Sequence, residues 1–342
     1  MIAYCGRPSL PRASALIRTH YRVSLCALCI PALASTADVS ALMAGVTPDT
    51  PAARIDPNVA TSEFAGVGAI VIGGSTYSGV VIAPQYVLTA AHVGTAGAAS
   101  AMSFVLNFSS SPWTSSVESV SVYPTYSFPY DDLAVLKLST PVPGAVPVYP
   151  LFTGTTATGL QLVLAGYGSS GNGDVGVTVG AASTVKRTGG NIIDALQTTL
   201  DNSGLQSRFY VYDFDGPTGA GPTGGPTIGN SLETLVAPGD SGGPSFIRNA
   251  GQLQLFGINT FVSPSVSGAP TDYKFGMLGG GIAASDLRFF AWLQEATNGT
   301  LGGASSDSGN APIPGWAVAV LAVGLLSLSN LRRSTGNASA RV

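Results

Sequence analysis

An all-β fold with one C-terminal helix is what this sequence predicts, and three observations point to it. The 44 Gly and 23 Pro make up about a fifth of the 342 residues, without the three-residue period of collagen. Short apolar runs recur along the chain with turn residues between them, as strands joined by tight turns do. Charged residues are only 10%, less than half the usual roughly 25%, which disfavours a charge-laced helical bundle. Net charge is −3 and no basic cluster interrupts the middle of the chain, so no nucleic-acid partner is expected.

The candidate strands follow in order from residue 67. They are Val67-Ile72, Gly79-Ala83, Tyr86-Ala90, Ser103-Phe108, Val117-Val122, Leu133-Leu138, Leu160-Ala165, Phe209-Tyr212, Ser245-Arg248 and Leu253-Phe261. Each is a short apolar run, and their spacing is that of a sandwich or barrel. Ser285 is placed to cap a helix over Asp286 to Thr297, because Phe289, Trp292, Leu293 and Ala296 recur at i, i+3, i+4 and i+7 and form one apolar face. Gly216 to Gly229 is too irregular for a strand and reads as a loop.

The two ends carry processing signals. Arg7, Arg12, Arg18 and Arg22 precede an apolar run from Val23 to Ala34 and the small-residue sites Ala32-Leu33-Ala34 and Ser35-Thr36-Ala37, the order of a secretory signal peptide over residues 1–37. All three cysteines, Cys5, Cys26 and Cys29, fall inside it. Disulfides therefore cannot hold the exported chain, and an ordinary core must. Residues 38–54 read as a linker or propeptide, and 55–300 as the folded domain.

At the other end a Gly/Ser-rich linker (301–311) leads to Pro312-Ile313-Pro314, an apolar run from Trp316 to Leu328, and Arg332-Arg333. The segment 312–334, before the tail 335–342, resembles PEP-CTERM-type sorting signals. That resemblance implies a bacterial protein, an exosortase-like sorting enzyme as partner, and membrane contact through residues 316–331 before processing. A plain hydrophobic tail anchor, a transmembrane helix, fits the same hydropathy.

Three constellations carry chemistry. With His20 removed in the leader, His92 is the one imidazole of the mature chain, in Thr89-Ala90-Ala91-His92; alone, such a residue reads by default as structural. Asp131-Asp132-Leu133-Ala134-Val135 places acids at the mouth of a buried strand, where a turn carboxylate is the plain alternative. Gly239-Asp240-Ser241-Gly242-Gly243-Pro244 surrounds one serine with three glycines, which lets the backbone turn tightly enough to present a hydroxyl and amide donors together.

Together these boxes resemble the trypsin/chymotrypsin-like serine proteases, in that family's order of His, Asp, Ser, over roughly residues 55–297. The resemblance implies two six-stranded Greek-key β-barrels and a serine endopeptidase acting on a protein or peptide substrate, secreted or held in the cell envelope. Ser241 is then the nucleophile, His92 the general base and Asp132 its carboxylate partner, with an oxyanion hole at the N–H groups of Gly239 and Ser241. Leu235 is expected at the base of the substrate pocket and Thr260, Phe261 and Val262 along its wall. No acid is placed there for a basic side chain, and Val262 favours small aliphatic ones. Activation by cleavage at Arg54-Ile55 would free an amine to pair with Asp240. No cofactor and no metal are expected: calcium is the alternative at Asp213-Phe214-Asp215, but two carboxylates are a weak metal signal and the stretch reads as a solvated turn. A catalytically weak binding domain on the same fold, or an esterase, is the alternative.

Overall fold

In the computed structural model the described residues are 42–200, 206–217, 221–224, 227–229, 232–264 and 271–302, all within the unit Asp38–Val342. The expected signal peptide with the unit Met1–Ala37, the three cysteines, and the C-terminal sorting signal with its apolar run lie outside them. Among the described residues no helix is long and apolar enough to cross a membrane.

The first half is a closed barrel of six antiparallel strands. They are β1 (Val67–Ile72), β2 (Ser75–Ala83), β3 (Tyr86–Thr89), β4 (Met102–Leu106), β5 (Trp113–Val122) and β6 (Ala134–Leu138). The order β1-β2-β3-β6-β5-β4 sets β6 beside β3, a Greek-key connection. Ile70, Val81, Val87, Phe104 and Leu136, all without exposure, fill its interior. Burying each such side chain contributes about 1.5–3 kcal/mol.

The second half departs from the expected six-stranded barrel. Here β7 (Gln161–Gly166), β10 (Arg187–Ile192), β11 (Ala195–Leu200), β12 (Gln206–Asp213), β13 (Pro244–Asn249), β14 (Gln252–Pro264) and β15 (Met277–Ile282) form a seven-stranded sheet in the order β10-β7-β13-β14-β15-β12-β11. A small hairpin of β8 (Ser170–Asn172) and β9 (Gly176–Val179) stands apart from it. Only Ile193 and Asp194 separate the two edge strands, β10 and β11, so the sheet curls. Side chains tie the curl: Asn191 Nδ2 donates to the Asp213 carbonyl at 2.8 Å, and the Asp213 N–H to Asp194 Oδ2 at 2.8 Å.

The ten expected strands are all present, within a few residues at their ends. Strands β10 and β15 escape a hydropathy reading because glycine interrupts them. In β15 that glycine makes room: a Cβ at Gly279 would lie 2.6 Å from the Tyr212 ring, and one at Gly280 2.8 Å from the Phe261 ring. Helix α2 (Leu287–Ala296) turns its expected face inward, with Phe289 and Leu293 buried and Tyr123 edge-on to Phe289 and Trp292 at 4.9 and 5.1 Å. Its cap is Asp286 rather than Ser285: the Asp286 carboxylate accepts the Arg288 N–H at 3.1 Å.

Candidate active site

Strand register brings the histidine and the aspartate to one rim of the barrel. Thr89, the last residue of β3, pairs with Ala134, the first of β6. The chain leaving β3 and the chain entering β6 therefore lie side by side. Leaving β3, it winds into the single turn α1 (Ala91–Gly94), which carries His92; Asp132 stands two residues before β6. The His92 backbone N–H donates to Asp132 Oδ1 at 2.8 Å, and its Nδ1 lies 2.7 Å from Oδ2. Asp132 is fully buried, whereas the imidazole is a quarter exposed. An ionised carboxylate only accepts, so the ring proton sits on Nδ1 and the Nε2 lone pair faces outward. Phe128 packs on the ring at 5.6 Å, nearly perpendicular. Asp131, at φ +52°, turns elsewhere, to Thr125 Oγ1 at 2.6 Å and Arg288 Nη2 at 2.7 Å.

Ser241 reaches the same rim on the loop entering β13. The Ser78 N–H of β2 donates to the Ser241 carbonyl at 3.1 Å, and Ser78 Oγ to the Gly239 carbonyl at 2.9 Å. Gly242, at φ +81°, presses on the residues just ahead of His92: a Cβ there would run into Thr89 Oγ1 and lie 3.0 Å from the Ala90 nitrogen. Ser241 and His92 thus share a seam through their backbones, although no hydrogen bond joins Ser241 Oγ to the ring. Within the loop the N–H groups of Ala237, Asp240, Gly242 and Gly243 each have an acceptor. Those of Gly239 and Ser241 have none among the described residues.

Beside Ser241 opens a cavity of about 140 Å³, lined by Thr260, Phe261 and Val262 as expected, and also by Val236 and Tyr273. Leu235, expected at its base, is instead fully buried in the core beneath, and its carbonyl accepts the Met43 N–H at 2.9 Å. Residues 60–274 match the Trypsin family. The chain belongs to the Trypsin family. This is a family of serine peptidases that act on proteins or peptides. No curated protein matches the chain.

In this Trypsin-family chain the Arg54-Ile55 bond is uncut, and Ile55 has no free amine to offer Asp240. It is bridged to Arg187 on β10 and is 41% exposed, while Asp56 pairs with buried Lys186 at 2.9 Å and Arg54 with Asp49. Leu42 reaches Asp240 instead, its N–H donating to Oδ2 at 3.2 Å. Leu42, Met43 and Ala44 have no exposure, and the first two belong to the second-half core, so this stretch is no loose linker. Asp240 is fully buried and accepts also from Gly168 N and Ala237 N, both at 2.9 Å. Burial pushes its carboxyl up to about 7, against the pull of these N–H groups and of Arg187.

Sequence reading missed Leu42, Ser78 and Tyr273. No motif marks Ser78 or Tyr273, whose roles arise from packing between distant segments. Leu42-Met43-Ala44 is an apolar patch that an Ala/Thr/Pro-rich surrounding masks.

Proposed function

We propose that this chain is a secreted serine endopeptidase. The observation that supports it most is the His92–Asp132 pair on one rim with the Ser241 loop, whose Gly239 and Ser241 N–H groups are left to receive a negative oxygen. Ser241 Oγ attacks the scissile carbonyl as His92 Nε2 takes its proton. Asp132 holds the ring in the required tautomer and stabilises the imidazolium. The two N–H groups stabilise the oxyanion, each by roughly 3–4 kcal/mol. His92 then protonates the leaving amine, and a water activated by the same imidazole releases the acyl group from Ser241. The small cavity and Val262 favour a small aliphatic residue before the cleaved bond.

For activation, the docking of Leu42 supports a cut immediately before it in place of Arg54-Ile55. Val39-Ser40-Ala41 ends on the small-residue pattern that signal cleavage uses, and the new ammonium would neutralise Asp240. The test is a serine-reactive fluorophosphonate probe and casein with the purified exported protein. Wild type labels and cleaves, and Ser241→Ala does neither. Labelling without peptide turnover but with ester turnover indicates an esterase, and absence of labelling indicates a binding domain.

A further inference from the structure

Asp213-Phe214-Asp215, expected to be a solvated turn, carries carboxylates that are not solvated. Asp213 is 2%, Asp215 1% and Glu233 1% exposed, and Asp194 joins them from the turn between β10 and β11, through its bond to the Asp213 N–H. A Cβ at Gly221 would lie 2.7 Å from both Asp213 Oδ2 and Asp215 Oδ1, so two carboxylates crowd one point.

Their partners are neutral. Thr223 N and Oγ1 donate to Asp213 Oδ2 at 2.9 and 2.6 Å, and Gly221 N to Asp215 Oδ1. Glu233 receives Asp215 N at 2.8 Å, Thr227 Oγ1 at 2.6 Å and Ile228 N at 3.1 Å. Among the described residues no lysine or arginine forms an ion pair with any of the four; Arg54 touches Glu233 only at its backbone carbonyl. Asp194 Oδ1 and Asp215 Oδ2 are buried without a donor. Thr227 cannot supply the second, because its one hydroxyl proton is already given to Glu233.

Four buried or half-buried acids with no cation are costly when ionised. All-oxygen ligands without histidine or cysteine, carried on separate segments, suit a hard ion of loose geometry, which is calcium rather than zinc or magnesium. We propose that Asp213, Asp215 and Glu233, backed by Asp194, bind a calcium ion that ties the start of the 216–232 loop to its end. Among the described residues no three such side chains are already closed around one point. Binding therefore draws these carboxylates inward, and water or backbone carbonyls complete the roughly six to eight oxygens calcium takes. Glu233 lies eight residues before Ser241, so the ion braces the chain that leads into the serine loop.

The experiment reads binding rather than proteolysis, so its outcome is separate from that of the peptidase assay. Metal-free mature protein is titrated with calcium chloride by calorimetry and melted with calcium or magnesium. One calcium binds saturably, with a Kd on the order of 10⁻⁴ M, and Tm rises by about 5 °C at 100 times Kd, with a smaller rise for magnesium. Asp215→Asn removes the calcium increment yet raises the metal-free Tm, because it deletes one of the crowded charges. Glu233→Gln weakens binding at least about tenfold. Absence of saturable calcium binding, an equal response to magnesium, or undiminished binding by either variant overturns the proposal.

Discussion

Asp131 and Asp132 are adjacent, both fully buried, and face opposite ways. One meets the imidazole and the other Arg288, so their substitutions separate chemistry from stability. Asp132→Asn offers an amide that stabilises the wrong ring tautomer, and kcat falls on the order of 10⁴-fold while folding persists; steady-state peptide kinetics checks it. Asp131→Asn leaves Arg288 facing a neutral group and costs about 3–5 kcal/mol in urea unfolding, with much smaller effect on kcat in the fraction that stays folded. Which acid meets the histidine was legible in the sequence, because the one next to the Leu-Ala-Val strand is fixed by that strand's register. Leu42 was not legible: its position follows from a carboxylate 198 residues away.

At the scale of elements, the Lys186–Asp56 pair pins the segment around Ile55 to β10. Lys186 has no exposure, and its Nζ also donates to the Phe64 carbonyl at 2.6 Å. Lys186→Ala strands Asp56 and costs about 3–5 kcal/mol, read as a lower urea midpoint with unchanged slope. The acidic loop predicts an unusual pH dependence. Burial first, and neighbouring acids with it, raise Asp194 to about 7 and Asp215 to about 6, from an ordinary value of 3.8. The folded chain then holds more protons than the unfolded one between those values, so the stability these groups contribute is full below about pH 4 and lost as pH rises through 6 to 7. Urea midpoints in a chelator at pH 5 and pH 8 test this, with the lower value expected at pH 8. Strands with apolar runs were readable from sequence. Strands β8 to β11 and β15 were not; the glycines of β10 lie against Arg54, Thr234 and Ile228 and those of β15 against Tyr212 and Phe261, and no local pattern encodes that.

Of the two hydrophobic cores, one runs from the barrel through Ala165, Phe246 and Ile258 to Phe289, so it joins both halves, and the other lies within the second half and Leu42-Met43. Motif order foretold two halves, but hydropathy did not distinguish a six-stranded second barrel from the seven-stranded sheet, whose curl is held by backbone and side-chain bonds at Asn191 and Asp194. All three cysteines lie within the first 29 residues, so no disulfide can form within residues 30–342 and the fold there rests on packing, hydrogen bonds and ion pairs. Dithiothreitol is expected to leave the mature chain's Tm unchanged within about 1 °C, as scanning calorimetry would record.

Ser78 accepts the Tyr167 N–H at 2.9 Å while it holds the loop that bears Ser241. One small residue of the first half thus rivets both the chain leaving β7 and the loop entering β13. In the proposed peptidase, any breathing of the two halves that loosened this rivet would draw Ser241 away from His92, so Ser78 sets the spacing on which the proposed chemistry depends.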